Sequence, residues 1–252
     1  VAKKQAKSDR QAVIAATLKK QKTADQRRGF MIVGVCTVVA VLIVGAAAFQ
    51  PIKNWWDLRQ FKSKDLASIG APASVCQKVT TKKADGNQQH VPQTQTVDYK
   101  DAPPAFGAHW NVAGLAPAPM ERKLYTAADR PALEALVHNL EHGYTILWYD
   151  DTIAKNDTDM KELQAIADKL AGTSNFRDKF IAAPWLSSDE GGAKFPSGQH
   201  VAFTHWSAGG SGNTDTSKQE GVFQYCSQVS GASLSDFMLK YPYTDSPEPG
   251  AM

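Results

Sequence analysis

His138 and His142 stand four residues apart in the run His138-Asn139-Leu140-Glu141-His142-Gly143-Tyr144. On a helix that spacing puts both imidazoles on one face. Two imidazoles so placed are suited to gripping a metal ion. A third, His109, follows the segment Tyr99-Lys100-Asp101-Ala102-Pro103-Pro104-Ala105-Phe106-Gly107-Ala108. Its two prolines and glycine forbid a regular element and force one defined loop, which can hold His109 rigidly. Three neutral imidazoles, His109, His138 and His142, suit zinc or copper, with water or a fourth ligand completing the set. Met120 would add a soft ligand for copper, although methionine in such a place is more often core. Glu141 then orients a ligand or lies exposed on the helix.

Two other readings compete for the same residues. His138-x-x-Glu141-His142 matches the inverted zinc-protease pattern, in which Glu141 would be the general base of a zinc hydrolase. Against it, Gly143 ends the helix at once and no later helix offers an acidic ligand motif. The histidines also have a purely structural reading: His142 bonds the last carbonyls of its helix and His138 bonds the loop. Elsewhere, His205 is expected half-buried near the core with His200 pointing the other way, either one at most a fourth ligand. His90, among glutamines, reads as a surface histidine. The chain has no phosphate loop, dinucleotide fingerprint, Cys-x-x-Cys pair or haem-attachment sequence, and no Ser-His-Asp set can be assigned.

These residues need elements to carry them. A helix capped by Thr126 or Asp129, with Pro131 early in it, has Leu133, Leu136, Val137 and Leu140 as its apolar stripe. Gly143 stops it, and residues 144–149 read as a buried strand. Residues 157–170 form a second amphipathic helix. Strands are expected over 180–184 and 199–206, an exposed loop over 207–217, and short closing helices over 223–229 and 234–241. Residues 77–96 read as hairpin or loop with a turn at Gly86-Asn87-Gln88-Gln89-His90, and 246–252 as a tail. The sum is an α+β domain with a small mixed sheet and helices on its faces.

Charge and hydropathy place this domain. The net charge is only +3, but residues 1–29 concentrate lysine and arginine, and residues 30–49 are uncharged and almost wholly apolar. Twenty residues at about 1.5 Å each span about 30 Å, the thickness of a hydrocarbon core. Cations before such a span favour a cytoplasmic N-terminus and lipid contact over nucleic acid. Ala46-Ala47-Ala48 resembles a cleavage site, but the run is long, and an uncleaved single-pass anchor is expected. The expected plan is a cytoplasmic basic tail (1–29), a transmembrane helix (30–49), a juxtamembrane linker (50–75) with Trp55 and Trp56 at the interface, an extracytoplasmic domain (76–241) and a C-terminal tail (242–252). Cys76 and Cys226, the only cysteines beyond the span, are expected to form a disulfide.

Pro103-Pro104-x-x-Gly107-x-His109, the run from His138 to Tyr144, and Trp148-Tyr149-Asp150 together resemble an actinobacterial family. Its members are membrane-anchored proteins whose outer part is a domain of unknown function. Their usual motifs are Pro-Pro-x-Ser-Gly-x-His and His-x-Leu-Glu-His-Gly, and the likeness covers about residues 97–240. Phe106 stands where the family usually has serine. The layout is also similar to that of accessory subunits in actinobacterial respiratory supercomplexes, which join a menaquinol–cytochrome c reductase to a cytochrome c oxidase. The resemblance implies a non-catalytic accessory subunit docking on such a complex. The alternatives from the residues themselves are an extracytoplasmic copper or zinc binder and, third, the zinc hydrolase.

Overall fold

The computed structural model describes residues 2–84 and 88–251. The chain divides into two compact units, Val1–Asp57 and Leu58–Met252. The first is carried by helix α1 (Ala2–Arg59), which contains Pro51. Residues 2–29, expected as a solvated tail or a short amphipathic helix, are helical throughout. Their alanines, lysines and glutamines are strong helix formers, so the helix of the span propagates in both directions. The apolar residues of 30–49 are exposed within this unit. The helix is long and apolar enough to cross a membrane.

The second unit is an α+β fold around a five-stranded mixed sheet of order β1-β7-β6-β4-β5. Its strands are β1 (Thr80–Lys83), β4 (Thr145–Tyr149), β5 (Phe180–Pro184), β6 (Val201–Ser207) and β7 (Glu220–Cys226). Only β4 and β5 pair in parallel. Parallel neighbours need a crossover, supplied by helices α3 (Asp151–Ala154) and α4 (Asp157–Lys169). Alternate residues of each strand serve opposite faces. Leu147 and Tyr149 of β4 join Phe180, Val201 and Phe203 in a core shared with Leu163 and Ile166 of α4 and with Leu234 and Phe237 of α5 (Gly231–Lys240). Ile146 and Trp148 join Ile181, Ala202 and Trp206 in a second core with Leu136, Val137 and Leu140 of helix α2 (Leu133–Glu141). Burial on both faces explains why β4 reads as an unbroken apolar run rather than an alternating one.

One expected element is corrected. Residues 223–229, read as a short helix, belong mostly to β7. Val222 and Cys226 face the first core while Tyr225 packs on the second, a period-two pattern that a helix cannot satisfy. Cys226 is therefore the end of a strand, and its disulfide to Cys76 joins two neighbouring chains at the sheet edge. The helix expected from Thr126 or Asp129 starts later, after Ala132. Asp129 instead caps a turn, accepting from the Thr126 N–H at 2.7 Å and its hydroxyl at 2.9 Å.

The compact unit extends past 76–241 at both ends. Phe61 and Ile69 are core residues. The segment after α5, expected as a tail, is anchored by Asp245, which accepts from Ala208 N–H at 3.1 Å, Gly210 N–H at 2.7 Å and the Ser207 hydroxyl at 2.8 Å. A short parallel pair, β2 (His90–Val91) and β3 (His109–Trp110), lies apart from the main sheet, with His90 opposite His109. Gly86 and Asn87 of the expected turn lie outside the described residues.

The disulfide closes a separation of 150 residues. In the chain-entropy treatment such a loop is worth at most about 5 kcal/mol. Reduction, or Cys226→Ser, is expected to lower the denaturation midpoint markedly. Chemical unfolding with and without reductant, with thiols counted in parallel, checks this.

Candidate metal centre

Helix α2 supplies most of the site. It is buried on every side, including Glu134, His138, Asn139 and Glu141. Buried polar groups destabilise unless each finds a partner, and here the loop 88–132 provides them. Glu134 accepts from Val97 N–H at 2.9 Å, and the Asn139 amide makes two 2.9 Å bonds with the Ala118 backbone. The helix then ends in a left-handed turn: Gly143 has φ +89°, Gly143 N–H bonds Leu140 O at 3.0 Å, and Tyr144 N–H bonds Asn139 O at 3.1 Å. This pair of bonds is the Schellman arrangement that the glycine announces in the sequence. Two carbonyls remain. Glu141 O accepts from Glu248 N–H at 3.0 Å, and His142 O accepts from the Lys179 ammonium at 2.7 Å.

Three imidazoles and a carboxylate meet at the face of α2 toward β2 and β3. One donor atom from each of His90, His109, His138 and Glu141 lies within 4.8 Å of the others. His109 and His138 rings are 4.8 Å apart, and His90 lies 5.0 Å and 5.2 Å from them. His109 Nδ1 is 2.8 Å from Gly107 O, and His138 Nδ1 is 2.6 Å from Trp110 O. A carbonyl can only accept, so both Nδ1 atoms carry protons. In the neutral ring that leaves Nε2 as a bare lone pair, the form in which imidazole binds metals.

The carboxylate of Glu141 is oriented by a chain of amides. Trp206 Nε1–H donates to Gln219 Oε1 at 3.1 Å, Gln219 Nε2–H to Gln88 Oε1 at 2.9 Å, and Gln88 Nε2–H to Glu141 Oε1 at 3.0 Å. Oε2 is then turned toward the histidines, 2.9 Å from His109 Nε2 and 3.7 Å from His90 Nε2. Both atoms of the 2.9 Å His109–Glu141 contact are buried and make no other hydrogen bond among the described residues. With the ring neutral, a lone pair would face an anionic oxygen at 2.9 Å, a contact that either a proton on Nε2 or a bound metal ion relieves.

The three residues expected as one ligand set are divided. His109 and His138 come together. His142 meets His138 edge-on with ring centres 4.4 Å apart, but its Nε2 faces Glu248 Oε2 at 3.5 Å, in a group with Glu141. His90, expected on the surface, is half-exposed yet is the third imidazole of the cluster. Met120 is buried in the second core. His205, expected half-buried, is fully buried between Asp245 O at 2.6 Å and Tyr144 O at 3.2 Å, and His200 pairs with Asp150 at 2.9 Å. Phe106 packs on Trp206 and covers Gly221, where a Cβ would come within 2.5 Å of its ring.

Sequence reasoning missed His90, Gln88, Lys179 and Glu248 as parts of this region. A two-residue strand leaves no period by which His90 could be placed opposite His109. Glu248 did carry a signal: it lies between Pro247 and Pro249, where the backbone is held nearly fixed.

Burial pushes His138 and His142 down to about 4, helped by neighbouring imidazoles. Burial raises Glu141, but His109 and Gln88 outweigh it and hold the carboxyl below its ordinary value. The unfolded chain therefore binds more protons than the folded one between the ordinary histidine value, near 6.5, and about 4. Stability of the metal-free protein is expected to fall as pH drops through that window. Thermal melts of the full chain in detergent from pH 4 to 8 test the sign: a melting temperature that rises toward acid would contradict it.

The chain matches a family model described as a protein of unknown function, DUF3105, over residues 90–252. No curated protein and no solved structure matches it. The family match begins at His90 and so takes in all three imidazoles and Glu141, as well as His142 and Glu248. It spans well over half of the sequence, and the chain belongs to the DUF3105 family of proteins of unknown function.

Proposed function

We propose that this protein is a membrane-anchored metal-binding protein whose compact domain holds a divalent ion on His90, His109, His138 and Glu141. The observation that carries this reading is the pair of Nδ1–carbonyl bonds at His109 and His138. They leave Nε2 of both rings free of backbone partners, that of His109 lying 2.9 Å from the buried Glu141 Oε2, with one ligand atom of His138 within 4.8 Å of the same cluster. Three nitrogens and one oxygen suit zinc or copper(II). Copper(I), which favours sulfur, fits less well, because Met120 is in the core and Cys76 and Cys226 are bonded to each other. His90 is the solvent-facing ligand, through which an ion enters.

The reading differs from a zinc hydrolase in the role of Glu141. A carboxylate turned into the ligand cluster serves as a ligand rather than as a base poised over a water. His138 and His142, which the hydrolase pattern would join on one zinc, fall in separate groups.

A second reading is docking on a larger membrane complex through the long apolar helix α1. The basic residues before the span orient the N-terminus to the cytoplasm and the compact domain to the outside. The respiratory reductase–oxidase assembly is the partner that the resemblance suggests. A mild-detergent pull-down that brings down haem-containing subunits would support it, and a solitary colourless protein would count against it.

The metal reading predicts about one equivalent of zinc or copper tightly held by full-length protein purified in detergent without chelators. His109→Ala and His138→Ala should each abolish that binding. Gln88→Ala, which frees the carboxylate to rotate, should weaken affinity about 10- to 100-fold while leaving the circular dichroism spectrum unchanged. Metal-free protein that takes up neither added zinc nor added copper would end the reading.

A further inference from the structure

We infer that Glu141 is shared: a second divalent cation site, built from Glu141, His142 and Glu248, adjoins the first and makes the centre a two-metal one. The inference rests on the metal reading above but uses different residues. A ring nitrogen of His142, a carboxylate oxygen of Glu248 and one of Glu141 lie within 4.8 Å of one another, and Glu141 alone belongs to both groups.

The second group is more than a chance meeting of charges. His142 is only 5% exposed, and its Nδ1 is buried without a partner. Its Nε2 is 3.5 Å from Glu248 Oε2, too far for a good hydrogen bond. Among the described residues, Nδ1 of this nearly dry imidazole has no partner and Nε2 has only the long contact to Glu248. Glu248 is held in position by its backbone. Its N–H bonds Glu141 O at 3.0 Å, and the next carbonyls, Pro249 O and Ala251 O, bind the Lys179 ammonium at 3.0 Å and 2.6 Å. The same ammonium holds His142 O. One buried lysine therefore pins together the two segments that supply His142 and Glu248.

Glu141 has capacity for both sites. An ionised carboxylate offers about four lone-pair positions, and Gln88 takes one of them. Bridging carboxylates hold paired ions about 3.5–4 Å apart, a spacing compatible with two adjacent donor groups that share one residue. Two carboxylates and one imidazole form a harder, more open set than three imidazoles and one carboxylate. Glu248 is half-exposed, and Lys179 brings a positive charge close by. The second ion is therefore the more weakly held, and it is zinc or another oxygen-tolerant divalent cation rather than copper(I).

Zinc stoichiometry of the full-length protein in mild detergent tests this. Protein is dialysed against zinc and then against zinc-free buffer, and zinc is counted by mass spectrometry beside a calorimetric titration. The wild type is expected to bind two equivalents in two steps, the second at least tenfold weaker. Glu248→Gln keeps the backbone bond to Glu141 and should retain only the tight equivalent. His142→Ala should do the same, with thermal melts confirming that both variants are folded. One equivalent in the wild type would overturn the second site while leaving the first reading intact. No zinc at all would overturn both. Two equivalents retained in both Glu248→Gln and His142→Ala would overturn the assignment of these residues.

Discussion

The oxygens of Gly107 and Trp110 accept the Nδ1 protons of His109 and His138, and that constraint fixes the tautomers on which the centre depends. Without those bonds each ring could carry its proton on either nitrogen, and lone pairs would not converge. The loop that presents the carbonyls is itself held. Gly107 has φ +131°, a conformation that side chains rarely adopt, and a Cβ there would come within 3.2 Å of the Tyr99 ring. The Tyr99 hydroxyl in turn donates to Ala108 O at 2.7 Å. Loop shape sets carbonyl direction, carbonyl direction sets tautomer, and tautomer sets what the site can bind.

The same arrangement ties the site to the fold. A buried helix carrying Glu134, His138, Asn139, Glu141 and His142 destabilises the domain unless each polar group is satisfied. The loop does this for the first three, the Gln88–Gln219–Trp206 chain for Glu141, and Lys179 with the backbone of Glu248 for the carbonyls at the helix end. These partners come from four separate stretches of sequence. The centre is thus also the place where residues 88–132, the β6–β7 connection, the start of β5 and the chain after α5 are joined.

The elements with strong local signals were legible in the sequence. The apolar span, the stop at Gly143, the buried strand at 144–149, the helix over 157–170 and the pairing of two cysteines each follow from composition or spacing over several residues. The i, i+4 spacing put His138 and His142 on one helix, but the geometry divides them between two groups, with His109 joining His138. What was not legible depends on registry between distant segments. His90 is placed by a two-residue pairing, Gln88 by one amide contact and Glu248 by a lysine 69 positions earlier. β7 was misread because Phe223-Gln224-Tyr225 fits an amphipathic helix as well as a strand. The choice is made by the free edge of β6, which no local rule contains.

The direction of the amide chain bears on what kind of chemistry Glu141 can do. Indole N–H can only donate, so Gln219 must turn its oxygen to Trp206 and its NH2 to Gln88. Gln88 must then turn its oxygen to Gln219 and its NH2 to Glu141. Every amide orientation is set by the tryptophan at the far end, and the last group has to present an acceptor oxygen, which Glu141 does. A general base works best when its proton affinity lies near the working pH. Here donors from Gln88 and the approach of His109 hold Glu141 below the ordinary carboxylate range. A carboxylate lowered in this way is suited to holding a cation. The network that makes Glu141 affordable in the core therefore favours a ligand over a catalyst.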